Sequence, residues 1–188
     1  MDDYFSSEEL AAMNFGSLGH NVLIARNSVL VGTAQMFLKN NIRVDSFSVL
    51  VASNGSLIIG NYVHISAGAY LACSGGVILE DFVGLSAHVK IFSASDDFLG
   101  TALVGPCVPM QYRKVKKEQV VLEKHVLIGA GTTILPGVTV GASAAVGAMS
   151  LVTKSLKPYN VYAGVPARLI KSRSKKHIEL EKNFEGLD

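Results

Sequence analysis

An aliphatic residue returns at every sixth position along much of this chain. Leu122, Ile128, Ile134, Val140, Val146 and Val152 keep that step without a slip, and the same step links Ile59, Ile65 and Leu71, then Leu79, Leu85 and Ile91. Four positions after most of these comes a small or β-branched residue: Val63, Ala69, Val83, Val89, Val126, Thr132, Val138, Ala144 and Ser150. Glycine or serine directly follows many of them, as at Gly60, Ser66, Ser86, Gly129, Gly141 and Gly147. A helix repeats near 3.6 and a strand at 2, so a period of six calls for short strands joined by tight turns. Three hexads make one triangular coil with the aliphatic side chain inside, and the expected fold is an all-β solenoid. A β-sandwich alternates in and out with irregular turns and has no reason to hold this register.

A solenoid exposes its ends and faces, so the ends call for caps. Ser6 stands three residues before Glu9, a capping-box spacing that predicts a short helix reaching Met13. The tail from Arg173 sets Ile178, Leu180 and Phe184 among charges and predicts a second short helix. Leu18, Ile24 and Leu30 fit the ladder, while Met36 to Ser56 reads as irregular coil. This divides the chain into an N-terminal helical cap over 1–17, the β-helix over 18–170 and a helical tail over 171–188. One long loop, 96–119, is inserted between the coil ending at Ile91 and the one beginning at Leu122. It carries Pro106, Pro109 and the basic cluster Arg113, Lys114, Lys116 and Lys117. Such loops act as lids or binding loops, though a charge run by itself signals only exposure.

Composition narrows the function classes. The 188 residues are 49% hydrophobic and 17% charged, enough for one domain with a real core. A formal charge of +2 gives no general attraction to nucleic acid or anionic membrane, so any phosphate recognition is local. The acidic start and the lack of a long apolar run predict neither an export signal nor a membrane span, and a cytoplasmic location is expected. In that setting Cys73 and Cys107 read as reduced thiols, and nothing around them suggests a covalent carrier.

From Leu122 to Arg168 the chain resembles the C-terminal part of the galactoside, maltose and polysaccharide O-acetyltransferases of the hexapeptide-repeat superfamily. The motifs that carry the likeness are IGAG, ILPGV, VGA with the following VTK, and the AGVPAR exit. The resemblance implies a left-handed parallel β-helix, a homotrimer, and acetyl-CoA lying along the coils in clefts between neighbouring prisms. It further implies acetyl transfer to a hydroxyl of a sugar acceptor, as in cell-surface polysaccharide synthesis. Gly129, Ala130, Gly131 and Ala148 match small positions where the pantetheine arm passes close to backbone; coil geometry alone is the other reason for such residues. Lys154 and Arg168 match basic positions near the nucleotide end, where the alternative is an ordinary exposed charge.

At the catalytic position the chain departs from these relatives. The galactoside-type enzymes place a histidine shortly after the strand corresponding to the one that begins at Ile91, and here Asp96 stands in that place, followed by Asp97. A carboxylate of ordinary pKa, about 3.9, is a weaker base than histidine near 6.5, although paired carboxylates raise one another. His64, at a corner just before Ile65, is a second candidate base, and Ser66 matches a polar site that relatives use near the acyl oxygen. His88 and His125 sit at outward positions and read as surface or trimer contacts, while His20 and His177 carry no signal.

An amine needs less help from a base than a hydroxyl does. N-acetylation of a nucleotide-linked amino sugar is therefore the alternative to O-acetylation. A zinc site of the carbonic-anhydrase kind would need three convergent histidines, but His64, His88 and His125 occupy different phases of the repeat, so no metal is expected. A scaffold without catalysis is the remaining class.

Overall fold

A computed structural model describes residues 3–185. The outermost residues of the expected cap and tail, 1–2 and 186–188, lie outside the described residues. The chain winds into a left-handed parallel β-helix whose three parallel sheets form the faces of a triangular prism. One sheet stacks the strands starting at Ser17, Met36, Leu57, Val77, Val120 and Thr139, and the second those starting at Val22, Ile42, His64, Gly84, Leu127, Ala145 and Asn160. The third stacks the strands starting at Val29, Val49, Tyr70, Lys90, Thr133 and Leu151.

The aliphatic ladder is the axis of the prism. Val44, Ile65, Leu85, Ile128 and Val146 stand in one register, each buried, and the parallel columns through Leu38 and Leu50 complete each coil. Replacing Ile128, 0% exposed, by alanine opens a void between Leu85 and Val146. A loss of about 2–5 kcal/mol in chemical denaturation is the expected result.

Met36 to Ser56 is not irregular coil. Met36–Leu38, Ile42–Val44 and Val49–Val51 are strands of an ordinary coil, paired in register with those of the next. Leu38, Val44 and Leu50 keep the six-residue step, but eight positions separate Leu30 from Leu38 because a 3-10 turn, Thr33–Gln35, intervenes. The insertion shifts the phase and hides the repeat.

Helix α1, Ser7–Ala12, has the full capping box: Ser6 Oγ accepts from the Glu9 backbone N–H and the Glu9 carboxylate accepts from that of Ser6. Helix α2, Lys176–Glu185, lies along the corner formed by Tyr62, Phe82, His125 and Ser143. Tyr62 stacks on Phe82 and Phe82 on His125, with centroids 5.0 and 4.9 Å apart. His125 is thus not a surface residue. Its Nε2 bonds Glu181 at 2.7 Å, beside the Glu181–Lys124 pair, and His177 bonds Ser143 Oγ at 2.8 Å. Burial would raise the Glu181 carboxyl, but its bonds from Lys124 and His125 outweigh that and hold it low. Arg173 Nη1 donates to the carbonyls of His125, Ser143 and Ala144 at 3.0–3.2 Å. An Arg173→Ala variant leaves these acceptors unpaired, and about 1–3 kcal/mol of stability is expected to go with them.

Candidate active site

The corner between the second and third sheets is nearly free of large side chains. Along it the residues just after the buried aliphatics stack as Asp45, Ser66, Ser86, Gly129 and Gly147, each linked to the next coil by a backbone hydrogen bond of 2.8–2.9 Å. Beside them runs a second column, Ser46, Ala67, Ala87, Ala130 and Ala148, marked by bonds from Gly68, His88, Gly131 and Met149 into the coil before. Two glycines at this corner are required by packing as well as by their positive φ. A Cβ on Gly68 would meet His88 Nδ1 at 2.3 Å, and one on Gly131 would meet Met149 Sδ at 2.4 Å. The result is an open trench, polar at its N-terminal half and bare at its C-terminal half.

The sequence candidates Ser66, Gly129, Ala130, Gly131 and Ala148 all line this trench. His64 lies on the adjoining face, half-exposed, with Nε2 2.8 Å from Asp45 Oδ2; Arg43 Nε bonds the other oxygen of that carboxylate at 2.6 Å. Burial alone would raise the Asp45 carboxyl, but the bonds from His64 and Arg43 outweigh it and keep the group below its ordinary value. Asp45 and Arg43 give His64 an anchor that sequence reading missed, because coil winding brings them together from 19 and 21 positions away.

Asp96 and Asp97 belong to a different corner. The loop leaves the prism after the strand Lys90–Phe92, and its root is a two-stranded antiparallel ribbon, Ala94–Ser95 with Lys116–Lys117. Asp96 lies 3.8 Å from Arg113 and helps line an apolar cavity of about 540 Å³ with Phe92, Phe98, Leu135 and Pro136. Asp97 is engaged in its own turn, accepting from the Leu99 N–H at 2.9 Å and the Thr101 hydroxyl at 2.7 Å. The Thr101 bond first, then that from Leu99, holds its carboxyl low.

Lys154 is exposed just beyond the last strand of the same sheet, and Arg168 opens the antiparallel strand that pairs with Asn160–Ala163. Ser86 and Asp96 thus flank one prism face, separated by three strand residues, roughly 10 Å, and the turns at either end. Among the described residues no group of three or more His, Cys, Asp or Glu is arranged to hold a metal.

A triangular β-helix with a bare corner trench, a long loop carrying a carboxylate and the IGAG to PAR segment defines this chain as a member of the hexapeptide-repeat acyltransferases. The membership is shown along the whole chain: it is 35% identical over 182 residues to dTDP-4-amino-4,6-dideoxy-D-glucose acyltransferase of Escherichia coli, spanning 97% of this chain and 95% of that one. AntD, an N-acyltransferase from Bacillus cereus, superposes with a TM-score of 0.96 at 40% identity over all of both chains, in a complex with dTDP-4-amino-4,6-dideoxyglucose and coenzyme A. AntD is also solved with dTDP and 3-hydroxybutyryl-CoA. An O-acetyl transferase of lipopolysaccharide biosynthesis, WbbJ of Escherichia coli K12, is more distant, 29% identical over 132 residues, 69% of this chain and 65% of that one. No family model matches the chain. Of the two acceptor chemistries open from the sequence, the full-length relatives stand on the amine side.

The AntD crystals include variants at a serine and at an aspartate ten residues further on. In the present chain a serine and an aspartate stand ten apart at one place alone, Ser86 and Asp96. Sequence reading counted Ser86 only as a member of the repeat. The available signal was its register with Ser66, one coil away.

Proposed function

We propose that this protein transfers an acyl group from a coenzyme A thioester, with acetyl-CoA the reference donor, to the amine of a sugar carried on a nucleoside diphosphate. The observation that carries the reading is the full-length likeness to the dTDP-amino-sugar acyltransferase of Escherichia coli. The carboxylate of Asp96, where the O-acetyl relatives hold histidine, agrees with it, because an amine attacks a thioester without strong general-base help.

In this reading the pantetheine arm lies in the trench over Gly129, Ala130, Gly131 and Ala148, with Lys154 and Arg168 toward its phosphates. The neutral amine attacks the thioester carbonyl. Asp96 takes the proton that nitrogen sheds as the C–N bond forms, and the Ser86 hydroxyl donates to the oxyanion. When the C–S bond breaks, the thiolate recovers that proton and leaves as the free thiol. Ser66, one coil away, faces the sugar. Asp97 keeps the loop turn in shape.

The reading includes a homotrimer in the cytoplasm. Trench and loop carboxylate flank opposite sides of one face, so a complete site joins the trench of one copy to Asp96 of the next. Over its N-terminal coils the outside of this face is apolar, with Val29 at 51%, Val31 at 40% and Tyr70 at 37% exposure, before Lys90 and Thr133 continue the row, and that apolar part suits a contact between copies. Among the described residues no helix is long and apolar enough to cross a membrane.

Mixing tests the shared site. Ser86→Ala and Asp96→Ala proteins, each impaired alone, are unfolded and refolded together. Random trimers then hold an intact site at about one interface in four, so activity returns to about a quarter of parent. Mixed trimers that stay as impaired as their components would place the site within one copy.

A further inference from the structure

The basic cluster of the long loop is not uniform. Lys114, Lys116 and Lys117 stand in solvent, with Lys116 paired to Glu118 at 2.7 Å, whereas the Arg113 side chain is only 15% exposed. Its Nε is fully buried and has no hydrogen-bond partner among the described residues, and its Nη1 meets only the Met110 sulfur, at 3.9 Å. The acyl transfer described above gives this guanidinium no part.

The two legs of the loop fix where it sits. Asp96 directly follows Ala94–Ser95 on the outgoing leg, and Arg113 stands three residues before Lys116 of the antiparallel strand on the return. A single 3-10 turn, Met110–Tyr112, ends at Arg113, whose N–H bonds Met110 O at 3.1 Å; the Leu103 N–H bonds Tyr112 O at 2.9 Å and ties the turn to the rest of the loop. The legs thereby bring Arg113 Nη2 to 3.8 Å from Asp96 Oδ1.

Burying a guanidinium with an orphaned N–H costs stability. The prism does not depend on it, because the loop lies outside the aliphatic ladder. Asp96 does. Its carboxylate stands against Phe92, Phe98, Leu135 and Pro136, and apolar walls disfavour an ionised oxygen unless a cation is close by. At 3.8 Å the contact acts through charge rather than through a hydrogen bond, so it leaves the carboxylate lone pairs open to a proton from the substrate.

We propose that Arg113 is a positioning residue of the reaction: its buried guanidinium holds the Asp96 carboxylate charged and in place while leaving its oxygens free to take the amine proton. The inference rests on Asp96 as the proton acceptor in the reading above.

Steady-state kinetics with acetyl-CoA and dTDP-4-amino-4,6-dideoxy-D-glucose, beside thermal unfolding, test it on the intact protein. Arg113→Met keeps the apolar stem and deletes the charge. It lowers kcat about tenfold and leaves KM for both substrates within about twofold of parent. Its thermal midpoint equals or exceeds the parent's, because the orphaned N–H is gone and the Asp96 side chain, 38% exposed, stays solvated. Arg113→Lys restores a cation where no bidentate grip is used, and returns kcat to within about threefold of parent. In an Asp96→Asn background Arg113→Met changes kcat less than twofold, since its effect runs through the carboxylate. If Arg113→Met does not fold, Arg113→Gln, equally uncharged, carries the same comparison. Parent-like kcat in the uncharged variant overturns the positioning role. So does a loss that comes with a lowered midpoint, resists the lysine and recurs undiminished beside Asp96→Asn, which marks a residue that only shapes the loop. Parent-like kcat in Asp96→Asn by itself overturns the reading of Asp96, so the two failures stay distinct.

Discussion

Asp96→Asn lowers kcat for amine acylation by about 10²-fold, the low end for a lost general base because an amine needs less help than a hydroxyl, while KM for both substrates stays within about threefold of parent. The asparagine keeps the size and one acceptor oxygen of the aspartate, so the loop root retains its shape and only the proton acceptor is lost. His64→Ala is the necessary comparison, since it was the other candidate base. His64 spends its Nε2 on Asp45 at 2.8 Å, and Asp45 in turn aims Arg43. Its removal is expected to raise KM for the sugar nucleotide and to leave kcat within about threefold. Steady-state thiol release from acetyl-CoA separates the two variants. A collapse of kcat in His64→Ala beside a near-parent Asp96→Asn would reverse the assignment.

Ala130→Phe abolishes use of acetyl-CoA at ordinary concentrations, with KM for the donor raised about a hundredfold or beyond measurement, and leaves the thermal midpoint within about 2 °C of parent. The side chain at 130 is exposed on the trench floor between Ala87 and Ala148, so a benzyl group projects into the path of the pantetheine rather than into the core. Surface substitutions clear of packing change stability by about 0.5 kcal/mol or less. A bound cofactor arm has no such freedom, because a bulky group in its channel replaces contact with overlap. Binding of coenzyme A by calorimetry gives the direct readout. Parent-like affinity in Ala130→Phe would mean that the donor does not run along this corner.

The ladder was legible wherever the hexads are uninterrupted. Gly129 to Gly147 is 18 residues, three hexads, and there the register could be read without error; Ser66 to Ser86 is 20 and Asp45 to Ser66 is 21. Turns such as Thr33–Gln35 and the stretch 53–56 lengthen the corners without disturbing the walls. A fixed-period reading therefore lost Leu38, Val44 and Leu50, although the geometry keeps them in line. The same slippage concealed the cluster of Arg43, Asp45 and His64, which is local in space but spread over two coils.

The bare trench was visible as IGAG, since glycine and alanine at those positions report close backbone approach by their own chemistry. The acceptor was not visible there, because the motifs shared with the O-acetyl relatives lie in the bare, C-terminal half of the trench. The one departure legible from the O-acetyl pattern is Asp96 in the place of the histidine. Helix α2 was foreseen from its apolar spacing, but its docking on His125 was not, as contacts 56 residues apart leave no periodic trace.

The central claim is that the acyl group goes to nitrogen. Incubating the protein with labelled acetyl-CoA and dTDP-4-amino-4,6-dideoxy-D-glucose, then treating the isolated product with alkaline hydroxylamine, which strips O-acetyl esters, decides it. Acylation at nitrogen predicts a sugar nucleotide that forms at the rate of thiol release and keeps its label, because an amide resists the reagent. Label lost to hydroxylamine, or transfer only to the corresponding sugar with a hydroxyl in place of the amine, would contradict it.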